Sequence, residues 1–176
     1  MFGKWSGFVD HTYGYWPDPA EIKPFFSPEY ENNEIYHGGG DDAVITLEGI
    51  DGTEHLQLGE GRKDIVLMMW FSPKFGVMLF YHRYGIEDGE IYYSKGDMSK
   101  IHTVKRNKHS DPLPVALFIP FDDAFNALED FINSEGKRSD RIEWVSGLDI
   151  PSNTFPPQHE VAHDPTYTIV DDVPGF

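Results

Sequence analysis

Cysteine is absent from the 176 residues, and its absence excludes a disulfide framework, a cysteine-ligated zinc site and a cysteine nucleophile. Long apolar runs are missing too. The longest, Ile65 to Phe71, has seven residues, against the roughly 18 that a membrane-spanning helix needs. Met1-Phe2-Gly3-Lys4-Trp5 carries no apolar stretch of signal-peptide type, so a cytoplasmic chain without a leader is expected. Bases are scarce: 14 Lys and Arg stand against 30 Asp and Glu, a formal net charge of −16. A surface this negative repels nucleic acid and anionic membranes and attracts basic proteins. The expected partner is therefore a protein with a basic surface, with no direct contact to nucleic acid or membrane.

Apolar residues make up 39% of the chain and aromatics 15%, enough to build a real core. The length suits a single domain. Within it the acids are uneven. Residues 1–60 hold 12 acids and 2 bases, residues 61–146 hold 13 and 12, and residues 147–176 hold 5 and 0. The expected organisation is an irregular acidic and aromatic segment (1–40), an α+β core (41–146) and a Pro-rich acidic tail (147–176).

In the first segment, Pro17, Pro19, Pro24 and Pro28 forbid a long helix. From Asp42 onward the pattern is that of strands. Val44 to Leu47 begins one, and Asp51-Gly52 signals a hairpin leading into a strand over Glu54 to Leu58. Ile65 to Phe71 reads as a central strand buried on both faces, and Phe75 to Tyr84 as a long aromatic strand after the break at Ser72-Pro73-Lys74. Ile91 to Tyr93, Ile101 to Val104, Val115 to Phe118 and Arg141 to Val145 are further strand candidates. Phe121, Ala124, Phe125, Leu128, Phe131 and Ile132 recur at helical spacing on one face, with Asp122 and Asp123 in the first turn and Gly136 as the stop. The fold class is thus α+β: a mainly antiparallel sheet with a helix at about 121–134 packed on one face, an irregular aromatic-rich N-terminal segment and an extended C-terminal tail. Phe125 and Trp144 are expected in the core.

His159-Glu160-Val161-Ala162-His163 matches H-E-x-x-H, in which two histidines on one helical face bind zinc and the glutamate polarises water. Pro156-Pro157 before it and Asp164-Pro165 after it leave room for about two turns at most. A zinc-dependent metallopeptidase using His159, Glu160 and His163 is therefore an alternative reading. His37-Gly38-Gly39-Gly40 has the look of an oxyanion loop, but no G-x-S-x-G elbow accompanies it. No set of residues forms a catalytic constellation, so no catalytic residue and no cofactor is assigned, and the expected protein is not an enzyme.

Tyr92-Tyr93-Ser94-Lys95-Gly96-Asp97, Leu113 to Ile119, Pro120-Phe121-Asp122-Asp123-Ala124-Phe125 through Phe131, and Arg141-Ile142-Glu143-Trp144 together resemble the first immunity-protein family of bacterial polymorphic toxin systems. The resemblance covers about residues 61–146, and departs from the family pattern at Lys137-Arg138-Ser139. It implies a protein that binds and neutralises a cognate secreted toxin, commonly a nuclease or deaminase acting on nucleic acid, by stoichiometric occlusion. Such toxins hold phosphate with basic surfaces, so the acidity of this chain agrees with that implication. An acidic adaptor or structural module fits the charge as well. For a binding protein the candidate partner-contacting residues are Glu31, Glu34, Asp41 and Asp42, which adjoin Tyr30, Tyr36 and the glycine turn, and a second acidic loop, Glu87, Asp88 and Glu90, expected on the same edge.

Overall fold

A computed structural model describes residues 2–6, 18–30, 40–57, 59–85 and 89–170. Among the described residues ten strands and three helices follow one another: β1 (Phe2–Ser6), α1 (Pro19–Ile22), β2 (Asp42–Glu48), β3 (Asp64–Ser72), β4 (Gly76–Tyr84), β5 (Ile91–Ser94), β6 (Thr103–Arg106), β7 (Pro112–Pro114), β8 (Phe118–Ile119), α2 (Phe121–Asn133), β9 (Trp144–Ser146), α3 (Gln158–Val161) and β10 (Thr168–Val170). The main sheet runs β1-β2-β3-β4-β5-β9, antiparallel throughout, with β8 also paired to β4. A small second sheet runs β10-β6-β7, and β10 lies parallel to β6.

The period of two in β2, β3 and β4 sorts their side chains onto two faces. On one face Ala43, Ile45 and Leu47 stand beside Ile65, Leu67, Met69 and Phe71, then Val77, Leu79 and Tyr81, all buried. Against them lies α2, whose buried residues Ala124, Phe125, Ala127, Leu128, Phe131 and Ile132 follow the spacing read from the sequence. The helix stops where the Gly136 amide donates to the Phe131 carbonyl at 2.8 Å. Gly136 has φ +93°, and a Cβ there would lie 3.0 Å from Leu47 and 3.1 Å from Ile65. Both conformation and packing therefore require glycine. The first segment contributes too: Asp18 caps α1 by accepting from the Ala20 amide, and Ile22, Phe25, Phe26 and Tyr30 are buried in the same core.

The motifs behind the family resemblance turn out to hold the fold together. Ser94, fully buried, donates to the Leu117 carbonyl at 2.6 Å and accepts from the Leu79 amide at 2.9 Å. Arg141 clasps the Asp130 carboxylate through two nitrogens, at 2.8 and 2.6 Å, and donates to the Asn126 carbonyl at 2.7 Å, tying the following loop to α2. Trp144 donates its indole N–H to the Ser139 carbonyl at 2.9 Å.

Several expectations change. Of the strand expected over Glu54 to Leu58, residues 54–57 form turns and irregular backbone instead, and Leu58 lies outside the described residues. Asp51 and Gly52 do adopt positive φ, +56° and +77°, but the strand that pairs with β2 is β3, after a longer connection. Val115 to Leu117 is a 3-10 turn, and only Phe118–Ile119 continues as a strand. β3 is central, yet its second face is half-buried at Val66, Met68 and Trp70. Phe125 is buried, whereas Trp144 is half-buried at the margin of the core. Residues 147–170 are not an extended tail: Thr154 and Val161 are buried, and β10 adds a strand beside β6. Only three residues of this segment pair, too few to leave a periodic signal.

Candidate partner-binding surface

The face of the main sheet turned away from α2 is where the fold leaves large side chains open. Strand alternation places Val66, Met68 and Trp70 of β3 beside Met78, Phe80, His82 and Tyr84 of β4, and Tyr93 of β5 beside Phe80. Towards the start of β4 this face is closed by Leu113, Leu117 and Phe118, which pack with Met78. The remainder is a run of rings. Trp70 meets Phe80 at 6.5 Å between centroids, Phe80 meets Tyr93 at 5.1 Å and His82 at 5.7 Å, and His82 meets Tyr84 at 3.7 Å. Phe155, from the C-terminal segment, extends the run by lying 5.1 Å from Tyr93. Tyr84 is 39% exposed and Phe155 37%. Burial pushes the His82 imidazole below its usual range, so the ring is neutral at neutral pH, and pushes the Tyr93 phenol up. Rings in this number on one face, partly open, are the composition of protein interfaces.

Beside the ring run, a groove of about 440 Å³ lies at the end of the paired strands β5 and β9. Ile91, Tyr93, Gly147 and Leu148 line it together with Glu90, whose place opposite Arg83 puts its exposed side chain on the face of Tyr81 and Tyr92. Leu148 is 96% exposed. Tyr92, on the opposite face of β5, also borders the groove and carries the Arg138 guanidinium 3.5 Å from its ring centroid.

Of the candidate acids, Glu31, Glu34, Glu87 and Asp88 lie outside the described residues. Asp41 is corrected. Its side chain is 4% exposed, the Lys105 ammonium stands 3.4 Å away, and the Lys108 amide donates to it at 3.2 Å. A partner cannot reach it; it joins the small sheet to the large one. Asp42 is half-buried at the start of β2, opposite Trp70, and borders the ring face. Glu90 is exposed. Of the acids that are described, Asp42 and Glu90 do not share an edge: Asp42 aligns with Met78 through Trp70, whereas the Glu90 carbonyl accepts from the Arg83 amide at the other end of β4.

The H-E-x-x-H histidines are not organised as zinc ligands. α3 spans only Gln158–Val161 and buries Val161, while His159, Glu160 and His163 are exposed, with His163 beyond the helix end. Among the described residues no group of three or more His, Asp or Glu side chains is placed to hold a metal. No described helix is long and apolar enough to cross a membrane.

Sequence reasoning missed the ring face. Its signal was present as the alternation Phe80-x-His82-x-Tyr84, which the reading of β3 as buried on both sides obscured. Compared with protein-family models, with curated proteins and with solved structures, the chain matches none of them.

Proposed function

We propose that this protein is a bacterial immunity protein, acting in the cytoplasm, that binds a cognate secreted toxin with a basic surface and neutralises it by stoichiometric occlusion. The toxin in this reading acts on nucleic acid, as a nuclease or deaminase, and the immunity protein supplies no catalysis and no cofactor. One observation carries the proposal: seven of the fourteen bases are held in ion pairs within the described fold, while many acids are not. Arg62 pairs with Asp64 and Glu48, Lys63 and Arg83 with Asp51, Lys95 with Glu143, Lys100 with Asp97, Lys105 with Asp41, and Arg141 with Asp130 and Glu129. Glu21, Glu54, Glu60, Glu90, Asp122 and Asp123 are all exposed, with no cation at ion-pair distance. The surface is thus left with carboxylates for a partner that carries the opposite charge.

A basic toxin must keep its cationic surface open to grip phosphate. An acidic protein competes for that surface, and opposite charge speeds the encounter. Rings at the docking site then supply the apolar area that slows dissociation. The resemblance of residues 61–146 to an immunity family supports the same reading. The test is to read the gene upstream of this one and, where it encodes a secreted protein with a C-terminal toxin domain, to co-express that domain with this protein. Protection of the cell, and recovery of a one-to-one complex, is the expected outcome; a cell killed at equal expression, with no complex, overturns the proposal.

A further inference from the structure

The main sheet ends at β9, and the outer edge of that strand pairs with no other. The Lys95 amide donates to the Glu143 carbonyl at 2.9 Å and the Gly147 amide to the Ile91 carbonyl at 2.8 Å, so Glu143, Val145 and Gly147 turn their main-chain groups to β5. Antiparallel alternation then turns those of Trp144 and Ser146 outward. Of these outward groups, only the Ser146 carbonyl has a hydrogen-bond partner among the described residues, the Asp149 amide at 3.0 Å. The Trp144 N–H and C=O and the Ser146 N–H are left without one. Sheets ordinarily blunt such an edge with proline, lysine or a bulge. β7, at the edge of the small sheet, does so with Pro112 and Pro114. β9, as Trp144-Val145-Ser146, has no such guard.

We infer that the edge of β9 is a strand-addition site for an extended segment of the basic partner, one in which lysine or arginine alternates with apolar residues. Charge selects the first half of that pattern. From Ile142 to Phe176 the chain carries six acids and no Lys or Arg. The bases beside the edge are held, Lys95 by Glu143 at 2.6 Å, Arg141 by Asp130 at 2.6 Å and Arg138 over the Tyr92 ring. Asp140 and Asp149, which flank the strand, are exposed with no cation at ion-pair distance. An edge of this sign repels a second copy of itself and attracts a cationic strand. The sheet selects the other half. Val145 pairs with Tyr93 across β5, and Phe155 lies 5.1 Å from that ring, so every second side chain of an added strand falls beside the ring face. Main-chain hydrogen bonds to Trp144 and Ser146 supply the affinity of such an addition, and the alternating side chains its specificity.

This inference rests on the reading of the protein as a binder of a basic partner, and its test needs no toxin. Isotope-labelled full-length protein is titrated with a capped heptapeptide of alternating arginine and valine, followed by amide chemical shifts and by the solvent-exchange rates of the Trp144 and Ser146 amides. Two control peptides accompany it: the same sequence N-methylated throughout, which keeps the charge and cannot pair, and one with glutamate in place of arginine. At roughly tenfold above its dissociation constant the arginine peptide slows exchange at both amides about tenfold, as mass action requires when only the free protein exchanges there. The two controls leave both rates as they are. Exchange unchanged at either amide, or slowed as much by the glutamate or N-methylated peptide, overturns the strand-addition site. Amides already protected in the protein alone, and more so at higher protein concentration, assign the edge to a second copy and overturn it too. Each of these results leaves the toxin reading to be decided by the co-expression experiment, so the two fail separately.

Discussion

Replacing Lys105 with Met tests whether burial or mere proximity gives an ion pair its weight in this fold. Lys105 is fully buried, its ammonium 3.4 Å from Asp41, 3.0 Å from the Phe71 carbonyl oxygen to which it donates, and 5.5 Å from the centre of the Phe118 ring. Methionine keeps the length and apolar stem but removes the charge. The Asp41 carboxylate, 4% exposed, is then left with the Lys108 amide at 3.2 Å as its hydrogen-bond donor. Breaking one side of a buried pair in this way costs about 3–5 kcal/mol, because the remaining charge has lost both water and partner. At about 2–4 °C per kcal/mol for a domain of this size, melting falls by roughly 6–20 °C. The control is Lys100→Met. Lys100 and Asp97 stand 3.3 Å apart, almost the same separation, but each is 55% exposed, and water already screens that pair. Its loss moves the midpoint by no more than about 2 °C. Thermal unfolding followed by circular dichroism reads both. A Lys105→Met protein that melts within about 2 °C of the parent, alongside Lys100→Met, would refute the reasoning.

Phe125→Ala removes a ring packed 5.5 Å from Phe26 on the buried face of α2 and should cost about 3 kcal/mol in urea unfolding, as core aromatic truncations do. The stability profile against pH has a definite sign. Hydrogen bonds and cations hold Asp97, Asp130, Glu143 and Asp164 below the usual carboxylate range, Asp130 chiefly through Arg141. The unfolded chain therefore binds more protons, so this contribution is complete above the unfolded pKa near 4 and is lost as pH falls through the lower folded values; urea midpoints should drop below about pH 4, less steeply in Arg141→Met. Tyr84→Ala and Phe155→Ala, at exposed ring positions, should leave melting nearly unchanged and raise the dissociation rate of the toxin complex about tenfold or more, the size of an aromatic interface anchor.

The core was legible because its periods are strong. The apolar face of α2 repeats at helical spacing, and the β3 and β4 runs are too long and too apolar to be anything but interior strands. What stayed hidden depended on long-range pairing. β10 is three residues held by β6, far away in the chain, and nothing local in Thr168–Val170 announces it. Glu54 to Leu58 carry the alternation of a strand, but β3 takes the free edge of β2. Asp41 and Asp42 are adjacent acids with opposite fates, because a period of two turns one into the interior, where Lys105 meets it, and the other towards the ring face. The seven-residue run of β3 concealed the half-open face, since a run without polar residues does not tell an inward ring from an outward one. Trp70 is outward.

The central claim proposed above, that charge brings an acidic inhibitor onto a basic toxin, is tested most directly by the association rate constant measured by stopped flow against a toxin domain recovered from a neighbouring gene, across increasing sodium chloride. The account predicts fast association that falls about tenfold or more between roughly 50 and 500 mM salt, as the Debye length shrinks, with the toxin silenced at one equivalent. A rate indifferent to salt, or a toxin fully active at one equivalent, would contradict it.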